Sequence, residues 1–361
     1  MPNGGDLNYT DIPGCSERVP HMRSRLLGGS SKVMSRSKLL LTSVLASVLI
    51  LPLLSCGASE HDPGEVYYLV ALNSKTPYWQ AAHEGLQDAA MQYKVKYEMV
   101  APGSYNPQGQ KEEFQKILKK NPSGILVSVG DPTVLGPEID AAIAQGIPVI
   151  TVDSDAPSSK RLMFVGTDNY DAGQTGAKLV AQALNGKGNV VVFTIPGQQN
   201  LKERLHGYEQ AFRSHPGIKI TEVVDIKGEP ARAFDKTMEI ATKGSAVDAF
   251  VCLEASACPE VAEVLTRKQV TGKTIVAMDT DPRTLEWIQK GVILATIAQK
   301  PYTMAFFGTR VLDQLHHHKL ASLTLDWTQD TRSPLPNFID TGSTLIDKKN
   351  VDAFLKTANA K

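Results

Sequence analysis

Cysteine is scarce in this chain of 361 residues, which has four. They are Cys15, Cys56, Cys252 and Cys258, and they form no C-x-x-C pair with matching partners. A disulfide-built scaffold and a cysteine-ligated zinc module are therefore excluded. Net charge is also absent, with 38 Lys and Arg against 38 Asp and Glu. A balanced chain offers no basic footprint, so nucleic acid is not an expected partner. Neither G-x-G-x-x-G nor a P-loop occurs, so no nucleotide cofactor is expected, and no other cofactor or metal is assigned. No uninterrupted apolar run approaches the ~20 residues that a membrane-crossing helix needs.

The longest apolar stretch present is LLLTSVLASVLILPLLSC, residues 39–56, broken by Thr42, Ser43, Ser47 and Pro52. Arg36 and Lys38 precede it and Cys56 closes it, the layout of a secretory signal with small residues at the cut. A cysteine directly after the cut resembles a bacterial lipobox, in which Cys56 is acylated and becomes the mature N-terminus. The reading is a signal peptide over 34–55 that begins at Met34, preceded by a non-native or removed leader over 1–33. A polar tether follows over 56–65, GASEHDPGE after the cysteine. An uncleaved anchor or a buried helix is the alternative, and either anchor reading places the rest of the chain outside the cytoplasm.

Roughly 300 residues remain, more natural as two domains than one. Apolar, β-prone runs occur at 66–72, 97–100, 124–129, 148–153, 189–195, 219–226, 249–254, 274–279 and 294–299. Amphipathic segments such as WQAAHEGLQDAAMQY and LKERLHGYEQAF lie between them. Continuous apolar strands alternating with helices predict α/β architecture, with parallel sheets covered on both faces. Nine strands are too many for one small sheet, and FVGTDNYD at 164–171 reads as an extended crossing. Two doubly wound parallel-sheet domains follow, the second starting near Asp168. Cys252 and Cys258 could pair in an oxidising compartment. Because one lies in a strand-like run and the other near the next helix, two small buried thiols are expected. The His316-His317-His318 run is expected to be a solvated helix end rather than a metal site.

In open parallel sheets ligands bind beyond the carboxyl ends of the strands. That rule selects Asn73, Ser74, Lys75 and Thr76 with Tyr78 and Trp79 after the first strand. It also selects Asp153, Ser154 and Asp155, then Glu254, then Asp279, Thr280 and Asp281, and finally Gln299. Carboxylates and amides accept hydrogen bonds from vicinal hydroxyls, and an aromatic face takes the C–H face of a sugar ring. Arg204, in ERLHGY, can donate a fork of hydrogen bonds to ring and hydroxyl oxygens. The set reads as a site for a polyhydroxylated ligand. Asp281, before Pro282, is expected to be a helix N-cap. Trp287 and Trp327 are expected to be structural.

Residues Val66 to about Asp347 resemble periplasmic sugar-binding proteins of the ribose-binding, type I class, the substrate receptors of ABC importers. The resemblance rests on TPYW (76–79), GIPVITVDSDAP (146–157), VGTDNYDAGQTGAKL (165–179), ERLHGY (203–208), VAMDTDP (276–282) and GVILATIAQKPYTMAFFG (291–308). It implies two lobes joined by a three-crossing hinge, 66–167 plus 300–339 and 168–299 plus 340–361, with the sugar enclosed between them. It places Tyr78 and Trp79 at stacking positions and Asp153 and Asp279 at carboxylate positions. Arg204 takes the guanidinium position and Gln299 the amide position at the hinge. Glu254 stands where ribose binders have asparagine, Ser154 where they have arginine, and Leu72 where they have a polar residue. The resulting expectation is an acidic pocket, Asp153, Asp155, Glu254 and Asp279 against Arg204, suited to an amino sugar, a polyol or an aldose other than ribose.

The function expected on these grounds is that of a monomeric receptor, held at the membrane by lipid on Cys56, with no catalytic residue. It would close on a sugar or polyol and deliver it to an ABC permease from the periplasm or cell surface. Three alternatives stand beside it. One is a sensor receptor for a chemotaxis or kinase partner. Another is a lactose-repressor-like regulator, which the signal sequence disfavours. The third is a glycosidase using Asp153 and Glu254.

Overall fold

The structure, a computed structural model, describes residues 61–327 and 329–359. The leader, the signal segment and Cys56 lie outside the described residues. Six of the helices open with proline, whose fixed φ suits the first helical turn and whose missing N–H has no intrahelical partner to lose. Side chains cap several of them. Asn106 accepts from Gly109 N, Asp131 from Thr133 N, Asp168 from Asp171 N and Asp281 from Arg283 N.

The first lobe is built on β1 (Val66–Val70), β2 (Lys96–Val100), β3 (Gly124–Val127), β4 (Val149–Val152) and β5 (Phe164–Gly166). Its early helices are α1 (Pro77–Tyr93), α2 (Pro107–Leu118) and α3 (Pro132–Ala144). The second lobe carries β6 (Lys187–Thr194), β7 (Gly217–Asp225), β8 (Ala249–Cys252), β9 (Thr274–Met278) and β10 (Ala295–Ala298). Its helices are α4 (Asn169–Ala183), α5 (Gln199–Phe212), α6 (Pro230–Lys243), α7 (Ala257–Arg267) and α8 (Pro282–Gln289). The chain then returns: α9 (Pro301–His317) packs on α1 and on strands of the first sheet. It ends with β11 (Phe338–Asp340) on the first sheet, β12 (Thr344–Asp347) on the second, and α10 (Val351–Asn359) against α8.

The sheet orders are β2-β1-β3-β4-β5-β11 and β7-β6-β8-β9-β10-β12. Both repeat one doubly wound order, with all pairs parallel except β10 with β12. Each sheet buries its own apolar core. The chain passes between the sheets after Gly166, after Ala298 and after Asp340. Two of these passages are laced together, since Thr341 N donates to Gly166 O at 2.7 Å and Asp168 N to Asp340 Oδ1 at 3.1 Å.

Four sequence expectations change. FVGTDNYD is not simply an extended crossing: its start is the short strand β5, and Asp168 caps α4. The edge strands β11 and β12 were not anticipated. Cys252 and Cys258 are not separate thiols but a disulfide, with Cα atoms 5.7 Å apart. The tight β8-to-α7 turn brings them to bonding distance, a geometry that sequence position alone does not reveal. Finally, His316 and His317 belong to the last turn of α9 and are half-buried, while His318 alone is exposed. No helix among the described residues is long and apolar enough to cross a membrane.

Candidate functional site

In each lobe the strand order reverses beside the first strand, between β1 and β3 and between β6 and β8. Loops leaving the carboxyl ends of β1 and β3, and of β6 and β8, therefore diverge and leave a crevice in each lobe. A cavity of about 380 Å³ lies there between the lobes. The first lobe contributes Leu72, Tyr78, Trp79 and Asp153; the second contributes Asn200, Arg204, Glu254 and Asp279, with Gln299 at the hinge.

Asp153 and Asp279 occupy matching places, each directly after an apolar strand. Both have left-handed backbone, φ +63° and +65°. That conformation is uncommon for a residue with a side chain, though Asp adopts it more readily than most, and it re-aims both carboxylates off their strands. Asp153 Oδ1 accepts from Tyr78 Oη at 2.7 Å and Oδ2 from Ser128 Oγ at 2.8 Å. Asn200 Nδ2, from the opposite lobe, lies 3.5 Å from Asp153 Oδ1. Asp279 Oδ1 accepts from Gln299 Nε2 at 3.1 Å. Burial pushes the carboxyls of Asp153 and Glu254 above their ordinary values. It pushes Asp279 up to about 6, against the opposing pull of Arg204 and Gln299. Burial, with the Asp153 charge, also pushes the Tyr78 hydroxyl well up, so it remains a donor.

Arg204 is 1% exposed. Its Nε donates to Asn169 Oδ1 at 2.9 Å and its Nη1 to Leu253 O at 2.7 Å. Its Nη2, like Gln299 Oε1, is buried with no hydrogen-bond partner in the protein. Buried polar atoms are rarely left without one, so each points to a group from outside the chain. Arg204 is held in place by a close crossing of α4 and α5. A Cβ on Gly173 would fall 2.1 Å from Arg204 O. At the mouth, Tyr105 of the first lobe packs against Gly228 of the second, where a Cβ would meet Tyr105 Cβ at 2.4 Å.

Most of the strand-end residues selected from sequence line this cavity, but three of them behave otherwise than expected. Ser154 is fully buried and does not line it. Its backbone is drawn into the sheet end, where its carbonyl accepts from Val129 N. Asp155 also faces away, held bidentately by Arg161 through contacts of 2.6 Å at each oxygen. It therefore adds no charge to the pocket. Glu254 does line the cavity, yet its carboxylate already accepts from Ser256 N, Ser256 Oγ and Ala257 N at 2.7–2.8 Å. It acts largely as the anion at the start of α7. Asp155 thus drops out of the acidic surplus, while Glu254 keeps its charge but uses most of its acceptor capacity on its own loop. Asp153 and Asp279 are the carboxylates with the most acceptor capacity left facing Arg204. Asp281 caps α8. Trp287 and Trp327 pack against the two cores, away from the cavity.

Sequence reasoning missed Asn200, Gln198 and Tyr105. The first two follow β6 in IPGQQN, where the strand-end rule would have found them. Nothing in the sequence distinguishes Tyr105 from other loop tyrosines.

A family profile described as "Periplasmic binding protein domain" matches residues 66–319. The chain belongs to that family. It is similar to the "D-allose-binding periplasmic protein" of Escherichia coli K12, 24% identical over 257 residues covering 68% of this chain and 83% of the relative. Among solved structures it is similar to AraP, "an arabinose binding protein from Geobacillus stearothermophilus". That match is 32% identical with a TM-score of 0.66, covering 80% of this chain and 99% of the other. It is also similar to a chain of the "XylFII-LytSN complex", 25% identical with a TM-score of 0.71, covering 79% and 98%. The relatives are binding proteins, and this member of the family is a binding protein rather than an enzyme.

Proposed function

We propose that this protein is an extracytoplasmic receptor that encloses one small neutral sugar or polyol between its lobes and delivers it to an ABC importer. The observation that carries this reading is the convergence on one cavity of Asp153, Asp279, the unpartnered Arg204 Nη2 and the unpartnered Gln299 Oε1. Two carboxylates accept from vicinal hydroxyls, the guanidinium donates to a ring or hydroxyl oxygen, and the Tyr78–Trp79 corner takes the apolar ring face. With Asp155 paired to Arg161 and Glu254 already accepting three hydrogen bonds from its own loop, few carboxylate lone pairs are left for an ammonium group, and a neutral aldose is favoured over an amino sugar. The names of the allose- and arabinose-binding relatives point the same way.

The mechanism is lobe closure. A ligand that touches Asp153 on one lobe and Arg204 and Asp279 on the other touches all three only when the lobes meet, so it stabilises the closed state by that difference. Lipid on Cys56 would keep the receptor beside its permease. A sensor role is the second reading, favoured by the similarity to the XylFII-LytSN complex. A thermal-shift panel of aldopentoses, aldohexoses, amino sugars and polyols tests the binding reading. A micromolar ligand at millimolar concentration stabilises by about 4 kcal/mol, a rise on the order of 10 °C. A panel in which no sugar or polyol raises the melting temperature contradicts it. Crosslinking of the sugar-loaded protein in native membranes separates the two roles, by capture of a permease subunit or of a kinase sensor domain.

A further inference from the structure

Among the described residues, His61, Glu65, Asp313 and His317 bring four ligand atoms within 4.8 Å of one another, far from the sugar cleft. Asp313 and His317 are separated by one helical turn and share a face in the last turn of α9. Glu65 directly precedes β1, and a turn closed by Glu65 N on Asp62 O carries His61 back over it. His61 Nε2 lies 2.9 Å from Asp313 Oδ1, and His317 Nε2 lies 3.1 Å from Glu65 Oε2 and 3.8 Å from Asp313 Oδ1.

We propose that these four residues form a binding site for a divalent transition-metal ion of the zinc class. Two imidazoles with two carboxylates is a donor set that such ions favour over calcium or magnesium, which prefer all-oxygen shells. At bond lengths of 2.0–2.1 Å, tetrahedral ligand atoms sit about 3.3 Å apart. Three of the separations, 2.9, 3.1 and 3.8 Å, bracket that value, and all lie within 4.8 Å, so side-chain shifts on the order of an ångström complete the shell. Charge argues the same way. Asp313 is 2% exposed and Glu65 4%. Buried carboxylates need compensation, and one divalent ion supplies it while both imidazoles stay neutral.

The surroundings hold the ligands in place. Tyr67 Oη, fully buried, donates to Asp313 Oδ1 at 3.3 Å. The Asp62 amide donates to Glu65 Oε1, which leaves Oε2 to face His317. The His61 ring stacks on Tyr93, with centroids 5.1 Å apart, and meets His317 edge-on at 4.6 Å. Such orienting contacts are typical of the shell around metal ligands. The site lies at the amino end of β1, whereas the sugar cleft lies at the carboxyl ends. An ion there would fasten the segment that follows Cys56 to the first lobe without bridging the hinge.

The test is zinc(II) titration of tag-free full-length protein against a chromophoric chelator, with cobalt(II) substitution read by visible absorption. The expected result is one equivalent per chain and the intense visible band of tetrahedral cobalt. Outer-shell changes typically cost 10–100-fold in metal affinity, so His61→Ala and His317→Ala should each cost at least about 100-fold and abolish the band. His318→Ala should change neither, and the sugar affinity of all three variants should stay at the wild-type value. Circular dichroism confirms that the variants fold, and zinc should raise the melting temperature of the wild type but not theirs. Binding of less than one equivalent, retention in the His61→Ala/His317→Ala double variant, or loss in His318→Ala would each overturn the proposal. In the first case the cluster is a hydrogen-bonded histidine–carboxylate network only.

Discussion

Asp279 makes sugar binding depend on pH, with a sign the structure sets. Burial lifts its carboxyl from 3.8 to about 6 in the unliganded protein, a cost of ~3 kcal/mol for its ionised form. Because the folded value is the raised one, stability from this residue is fully present below about 4 and lost as pH rises through about 6. The ligand offsets that cost, since sugar hydroxyls donate to both oxygens of an ionised carboxylate and more strongly than to a protonated carboxyl. Affinity should therefore rise with pH and level off above about 7. At pH 5 Asp279 is mostly protonated, so affinity should be weaker than at pH 7.5, by up to about tenfold. Asp153, also pushed up by burial, can only steepen the fall. Calorimetry in two buffers of different ionisation enthalpy should also show proton release on binding near pH 6. Asp279→Asn should bind more weakly at pH 7.5 and lose most of the slope. Wild-type affinity that is flat between pH 5 and 7.5, or a slope that survives intact in Asp279→Asn, would refute the reasoning.

Tyr78→Phe removes the 2.7 Å donor to Asp153, and sugar binding should weaken about tenfold, the worth of a hydrogen bond to a charged group; calorimetry checks it. Gly228→Ala places a Cβ 2.4 Å from Tyr105 Cβ at a backbone φ of +71°, so the mouth cannot shut fully. Sugar affinity should fall by roughly tenfold, about 1.4 kcal/mol, and an unchanged value would show that this contact is not part of closure. Replacing Cys252 and Cys258 by serine opens a short loop and should cost about 2 kcal/mol, read as a melting temperature lower by ~5 °C. The same loop carries Leu253 O, the acceptor for Arg204, so sugar affinity should drop as well. Cys56→Ala should release the protein from the membrane fraction or leave it unprocessed, and a variant that is processed and fractionates like wild type would end the lipid-anchor reading.

The parallel architecture was legible because its strands are buried on both faces and so read as unbroken apolar runs, from VYYLV at 66 to ATIA at 295. The edge strands Phe338–Asp340 and Thr344–Asp347 were not, since edges are half-exposed and carry polar residues. At the site, the strand-end rule picked out Asp153, Asp279 and Gln299 because topology alone sends those positions to the crevice. It failed for Ser154 and Asp155 because two residues past a strand the direction of a side chain depends on local turns and partners. Arg161, which removes the Asp155 charge, has no signature in sequence. The Cys252–Cys258 bond and the His61, Glu65, Asp313 and His317 cluster depend on contacts across distant elements or tight turns, which spacing does not encode.

In the proposed mechanism one sugar bridges both lobes. Calorimetry of the tightest sugar against wild type, the first-lobe variant Asp153→Asn and the second-lobe variant Arg204→Met tests it most directly. One site per chain is expected in the wild type, with at least about a tenfold loss in each variant, because each removes a charged hydrogen-bonding partner on a different lobe. Wild-type affinity in either variant would mean that the ligand rests on one lobe alone, and closure around it would be contradicted.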